Sequence, residues 1–238
     1  MKEYPIERWH EKILNGMNIV LVNYFLSTKN FEGWLFSHKL FEEPLPGVSS
    51  TVYFFKRNTN DNDEAIRIDV IENNSIQDAE RTFLFLLTDV MAPMEFPEAK
   101  NENVGEICYK GFSDIDSLLM FLRGNIVIRI RSIGQKEIAV LTEAKIIDKD
   151  LINQPGEKDH RQMQLKFDLT SPAQEVLKQL ASNTEDALGK KVYFKIIAPD
   201  HSIELTRTGI INTGVSLPGN IILYAINEDG AAARVSLK

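Results

Sequence analysis

Ser50-Thr51-Val52-Tyr53-Phe54-Phe55, a polar loop, Ala65-Ile66-Arg67-Ile68-Asp69-Val70, and then Ser75 to Val90 form the stretch on which the fold turns. Ile66, Ile68 and Val70 alternate with Arg67 and Asp69, the period of a strand with one apolar and one wet face. The segment from Ser75 opens Ser-Ile-Gln-Asp, which resembles a capping box. Ile76, Ala79, Phe83, Leu86, Leu87 and Val90 then recur at helical spacing, and Pro93 stops the run. A hairpin followed by an amphipathic helix is the expectation.

The pattern recurs. Leu118-Leu119-Met120-Phe121-Leu122, a Gly124-Asn125 turn, and Ile126-Val127-Ile128-Arg129-Ile130 read as a second hairpin. Leu141, Ala144, Ile147 and Leu151 mark a helix within Ile138–Ile152. Ile126, Ile128 and Ile130 are expected to face a core, with Arg129 and Arg131 outward. Two tandem hairpin-helix units need a shared layer to bury their apolar faces. The expected head, residues 1–152, is therefore α+β: one antiparallel sheet of five or six strands with two helices on one face. A short helix over Ile6–Leu14 and a strand over Met17–Leu26 precede it. Phe31–Phe41 is aromatic-rich and ends at Pro44-Leu45-Pro46-Gly47, and Ile107–Gly111 reads as a strand.

Asn153-Gln154-Pro155-Gly156-Glu157-Lys158-Asp159 is the clearest boundary, and residues 153–238 are expected to form a β-sandwich. Its strands are placed at Gln162–Leu169, Val192–Ile197, Leu205–Ile211, Ile221–Ile226 and Ala232–Leu237, with a short turn or edge over Ser171–Ala181. Turn chemistry carries a resemblance here. Lys191–Asp200, then Thr208-Gly209-Ile210-Ile211, Leu217-Pro218-Gly219-Asn220 into the Tyr224-bearing strand, and Asn227-Glu228-Asp229-Gly230 follow in order. This segment resembles an immunoglobulin-like domain of the cadherin-like and dystroglycan-type group of bacterial surface proteins. The resemblance implies a spacer or adhesion module on an exported protein. Some such domains bind calcium; Asp200 and Asp229 match the motif positions, but no second sandwich supplies the other ligands, and no cofactor is expected. No resemblance is identified for residues 1–152.

The 238 residues carry a formal net charge of -7, which argues against a surface built to hold nucleic acid. No run reaches the length of a membrane span. Glu3, Glu7 and Glu11 before the apolar Met17–Leu26, and Tyr24-Phe25-Leu26 within it, do not make a secretory signal, so export implies a leader already removed. The single cysteine, Cys108, reads as a buried small hydrophobe. No phosphate loop, dinucleotide fingerprint or nucleophile elbow is present, and His10, His38, His160 and His201 sit in no metal-ligand pattern. Asn58–Glu64 reads as a solvated loop rather than a calcium loop. Asp114 and Asp116 read as turn carboxylates, and Trp34, Phe36 and Phe41 as core.

The candidate binding surface is the wet sheet face carrying Arg67, Asp69, Arg129 and Arg131. Guanidinium forks suit carboxylates and phosphates. Such a face either docks an acidic ligand or the tail domain, or is an ordinary charged face with internal pairs. The expected function is a non-enzymatic, two-domain, exported binding protein with a protein or carbohydrate-like partner. The alternatives are a small-ligand receptor or enzyme with a cleft site, and a cytosolic protein whose tail only imitates a sandwich.

Overall fold

The computed structural model describes residues 4–13, 18–21, 24, 26–27, 29–45, 48–57, 63–89, 94–157, 185, 188–197, 203–206, 209–212 and 221–237. The chain gathers into two compact units. One holds residues 1–18 and 26–153; the other holds 19–25 and 154–238.

The first unit contains α1 (Ile6–Ile13), β2 (Trp34–Leu45), β3 (Val48–Arg57), β4 (Ala65–Glu72), α2 (Ile76–Thr88), β5 (Ile107–Lys110), β6 (Leu118–Arg123), β7 (Ile126–Ser132) and α3 (Leu141–Ile152). Its strands form one six-stranded sheet in the order β2-β3-β4-β7-β6-β5. All neighbours are antiparallel. The two hairpins, β3-β4 and β6-β7, join through β4 and β7. The β6-β7 turn has Gly124 at φ 55, in the left-handed region that glycine enters without a side-chain clash. Ser75 caps α2: its Oγ accepts the Asp78 N–H at 3.1 Å.

The helices do not share a face, contrary to expectation. Ala79, Phe83, Leu86 and Leu87 of α2 pack with Trp9 and Ile13 of α1 on Ile71, Ile107, Tyr109, Met120, Leu122 and Val127. Arg123, the residue after Leu122, points to the other face and pairs with Asp148 of α3 at 2.7 Å. Trp34, also on that other side, donates its indole N–H to Glu143 of α3 at 2.8 Å. So α3 covers the face of Ile66, Ile68, Ile128 and Ile130, all 0% exposed. The reason lies in β6 and β7. Leu119 to Leu122 and Ile126 to Ile128 are buried without interruption, so both faces of the centre need a cover. The link from β4 to α2 is Asn73–Ser75, whereas residues 133–140 separate β7 from α3. The longer link lets α3 reach the opposite side.

The expected strand over Met17–Leu26 reduces, among described residues, to β1 (Asn18–Ile19), which pairs with β8 (Gly156–Glu157). In the second unit β9 (Val192–Ile197), β12 (Ile221–Asn227) and β13 (Ala232–Leu237) form an antiparallel sheet in the order β13-β12-β9. Leu205–Ile211, read as one strand, is instead a hairpin of β10 (Ile203–Thr206) and β11 (Gly209–Asn212). Val20, Tyr224 and Ile226 make a small apolar cluster with Tyr193 and Ala232. The strand expected at Gln162–Leu169 and the segment Ser171–Ala181 lie outside the described residues.

One contact shows how closely the loops are fitted. A Cβ built on Gly134 would meet the Asp63 carbonyl oxygen and lie 2.6 Å from the Ala65 nitrogen, both backbone atoms. Neither can move without disturbing β4. We expect Gly134→Ala to destabilise the protein by about 1–3 kcal/mol, read as a lower urea midpoint at unchanged slope.

Candidate functional site

Register places the candidate residues in rows across the pleat. His38, Phe54, Arg67, Arg131 and Leu118 occupy successive strands of one row. Leu40, Val52, Asp69, Arg129 and Met120 form the next, and Glu42, Ser50, Ile71, Val127 and Leu122 the third. All three rows lie on the face that α1 and α2 cover only in part. The face is therefore not uniformly wet, as the sequence suggested. Its β5-β6 side is apolar core, and the charges lie on the β2, β4 and β7 strands beyond it.

Asp69 organises the charged side. Its side chain is 2% exposed and lies between two guanidiniums. Arg67 Nε donates to Oδ1 at 2.6 Å, and Arg129 donates from Nε and Nη2 to Oδ2 at 2.5 Å. Arg67 turns its Nη2 to Glu42, also at 2.5 Å. Charge-assisted bonds of this kind are strong and hold both arginines in one rotamer. These partners hold the Arg67 guanidinium above its ordinary pKa, although burial opposes them.

Arg131 is the exception. Its Nε is buried and has no hydrogen-bond partner among the described residues. It stands directly across the ladder from Arg67, a like-charge pair. Burial first, then the charges of Arg129 and Arg67, push its pKa down, while Asp69 and Glu42 act the other way. Three guanidiniums thus lie in the field of two carboxylates, and the Nε of the third makes no hydrogen bond among the described residues. An aromatic step borders the row: His38 stacks on Phe54 at 4.4 Å and 10°. The Arg67 guanidinium lies 5.8 Å from the Phe54 ring centre.

The four residues chosen from sequence come together, and their roles differ. Asp69 is a buried clamp, Arg67 and Arg129 are its saturated partners, and Arg131 is left over. Sequence reading missed Glu42 and Phe54, and it offered His38 only as a residue of a cleft with Arg129 and Asp114, not as part of this row. Counting the hairpin register back from the loop would have put Phe54 opposite Arg67; nothing in the sequence alone points to Glu42.

The other candidates are occupied elsewhere. Asp116 pairs with Lys110 at 2.9 Å, and Asp114 is exposed. His10 lies 3.4 Å from Glu80. Trp34 is core, Phe36 packs on Phe55, and Phe41 is 41% exposed rather than buried. Asp229 pairs with Lys190 at 3.3 Å. Asp200, His160 and His201 lie outside the described residues, as do positions 58–62; Glu64 pairs with Arg57 and Lys136. Among the described residues no cluster of His, Cys, Asp and Glu could hold a metal ion, and no helix is long and apolar enough to cross a membrane. No family model, curated protein or solved structure matches this chain.

Two predictions follow from these environments. Asp69→Ala leaves the largely buried Arg129 without its carboxylate and Arg67 with Glu42 alone, and should cost about 3 kcal/mol. Arg131→Met removes a cation that has no partner and should leave stability within about 1 kcal/mol of the parent, or raise it. Chemical denaturation of both variants checks the contrast. Cys108 is 4% exposed, and burial pushes its thiol up to about 12. At pH 8 it stays protonated, so a disulfide reagent should label the unfolded protein and spare the folded one.

Proposed function

We propose that this chain is a non-enzymatic binding protein whose first unit takes an anionic group on the arginine face. The observation that carries the reading is Arg131. A cation left short of an acceptor beside two saturated neighbours lowers stability and gives the fold nothing in return. Such a residue is accounted for by what it holds when a ligand is present. A carboxylate or phosphate oxygen set against the part-exposed side of this guanidinium would offset the repulsion from Arg67 and Arg129. The clamp at Asp69 supports the same reading, because it fixes the surrounding rotamers and so keeps the site pre-organised.

The second unit is, on this proposal, an immunoglobulin-like sandwich that acts as a spacer or adhesion module on an exported protein. Support comes from the Asn227–Gly230 turn. Asn227 Oδ1 accepts the backbone N–H groups of Asp229 and Ala231, and Gly230 has φ 83. That turn closes β12 onto β13 as the resemblance implies. Finding the native protein confined to the cytosol by cell fractionation would remove the exported part of this proposal.

The anion reading has a direct test. In protein labelled at the arginine side chains, the Arg131 Nε–H resonance should shift on titration with acetate or inorganic phosphate. Those of Arg67 and Arg129 should move little, because their acceptors are already in place. Absence of any Arg131 response at millimolar anion would sink the reading.

A further inference from the structure

We infer that the ligand of the arginine face is a carboxylate side chain, Asp or Glu, presented by a protein partner. This rests on the anion-binding reading above and narrows it to one chemistry.

Charge count decides between carboxylate and phosphate. Arg67 and Arg129 pair with Asp69 and Glu42, and Arg131 stands across the ladder from Arg67, so the group of three guanidiniums and two carboxylates carries one positive charge in excess. A carboxylate carries a single negative charge and would neutralise it. A phosphate carries nearly two at neutral pH, and its second charge would fall near Asp69 and Glu42 without a cation to meet it. Arg67 and Arg129 cannot be redirected cheaply, because each is committed to the buried Asp69 carboxylate.

The surroundings decide between a protein partner and a small carboxylate. In the row beside Arg67 and Arg131 stand Phe54 and His38, stacked on each other. Leu40, in the neighbouring row, is 46% exposed. Arginine set beside an aromatic step and an exposed aliphatic group is the composition of protein interface centres. The site also lies on the pleated face of neighbouring strands, which suits a side chain offered by a second surface. An acidic residue on the partner would meet Arg131, and an apolar residue elsewhere on the same partner surface, three strand spacings or ~14 Å away, would meet the His38–Leu40 step.

The test uses the full chain and two fluorescent peptides, one of alternating Glu and Phe and one with Gln in place of Glu. The Glu peptide should bind, and the Gln peptide should bind at least about tenfold more weakly. Arg131→Ala should weaken the Glu peptide by a similar factor, and Arg131→Lys by less, since it keeps the charge and loses the fork. Inorganic phosphate should compete poorly. Circular dichroism checks the fold of each variant, and Arg131→Met serves if the Ala variant fails to fold. If phosphate displaces the peptide as well as free glutamate does, the carboxylate choice falls while the anion site stands. If both peptides bind alike but acetate still shifts the Arg131 resonance, the partner assignment falls alone. If Arg131 substitution changes nothing and its resonance is silent to every anion, both readings fall.

Discussion

Everything in the first unit depends on the register of β4 against β7. These two strands join hairpins that would otherwise be separate, and they carry the charged row and the apolar rows alike. The register is fixed at one end by reciprocal bonds. Asn73 donates its backbone N–H to the Asn125 carbonyl at 3.0 Å, and the Asn125 amide donates to the Asn73 carbonyl at 2.8 Å. Thr82 of α2 donates to Asn73 Oδ1 at 2.7 Å, which ties the helix to the same point. Asn73 is 6% exposed and Asn125 4%, so unmade bonds there would be costly. A slip of one residue would turn Asp69 into the core of the opposite face and bring Ile68 to the charged one. The charged row exists because that slip is blocked.

Much of the first unit was legible in the sequence. Ile66, Ile68 and Val70 alternate cleanly, Gly124-Asn125 is strong turn chemistry, and the capping serine of α2 is where the Ser-x-x-Asp pattern puts it. β9, β12 and β13 fall where apolar runs between turn residues place them, at Val192–Ile197, Ile221–Asn227 and Ala232–Leu237. The placement of α3 differs from the one-face expectation because the run from Leu119 to Leu122 is buried without a break. An uninterrupted run means burial on both sides. The hairpin of β10 and β11 was read as one strand because Leu205 and Ile210–Ile211 were given more weight than Gly209.

The candidate site was half legible. Strand periodicity put Arg67, Asp69, Arg129 and Arg131 on one face. It could not say that Asp69 is buried, or that one arginine of three lacks an acceptor. Those are properties of cross-strand neighbours, and neighbours depend on sheet order. Glu143 teaches the same point. Its place on α3 reads as solvent-facing, yet it is 7% exposed and accepts the Trp34 indole, with Arg57 4.8 Å above that ring. A buried acid among apolar residues becomes readable only when the donor that meets it is known.

The membership of residues 19–25 in the second unit has a consequence for how the protein is made. These residues leave the ribosome long before residues 154–238 exist. Val20, whose N–H bonds to the Pro155 carbonyl at 2.9 Å, has no companion during that interval. The first unit, whose residues end at 153, can close its sheet while synthesis continues. The second cannot, because part of it has been waiting since the start. A ribosome paused once residue 153 has cleared its exit tunnel would therefore hold one finished unit and an unclaimed apolar segment, Ile19-Val20-Leu21, for a chaperone to shield.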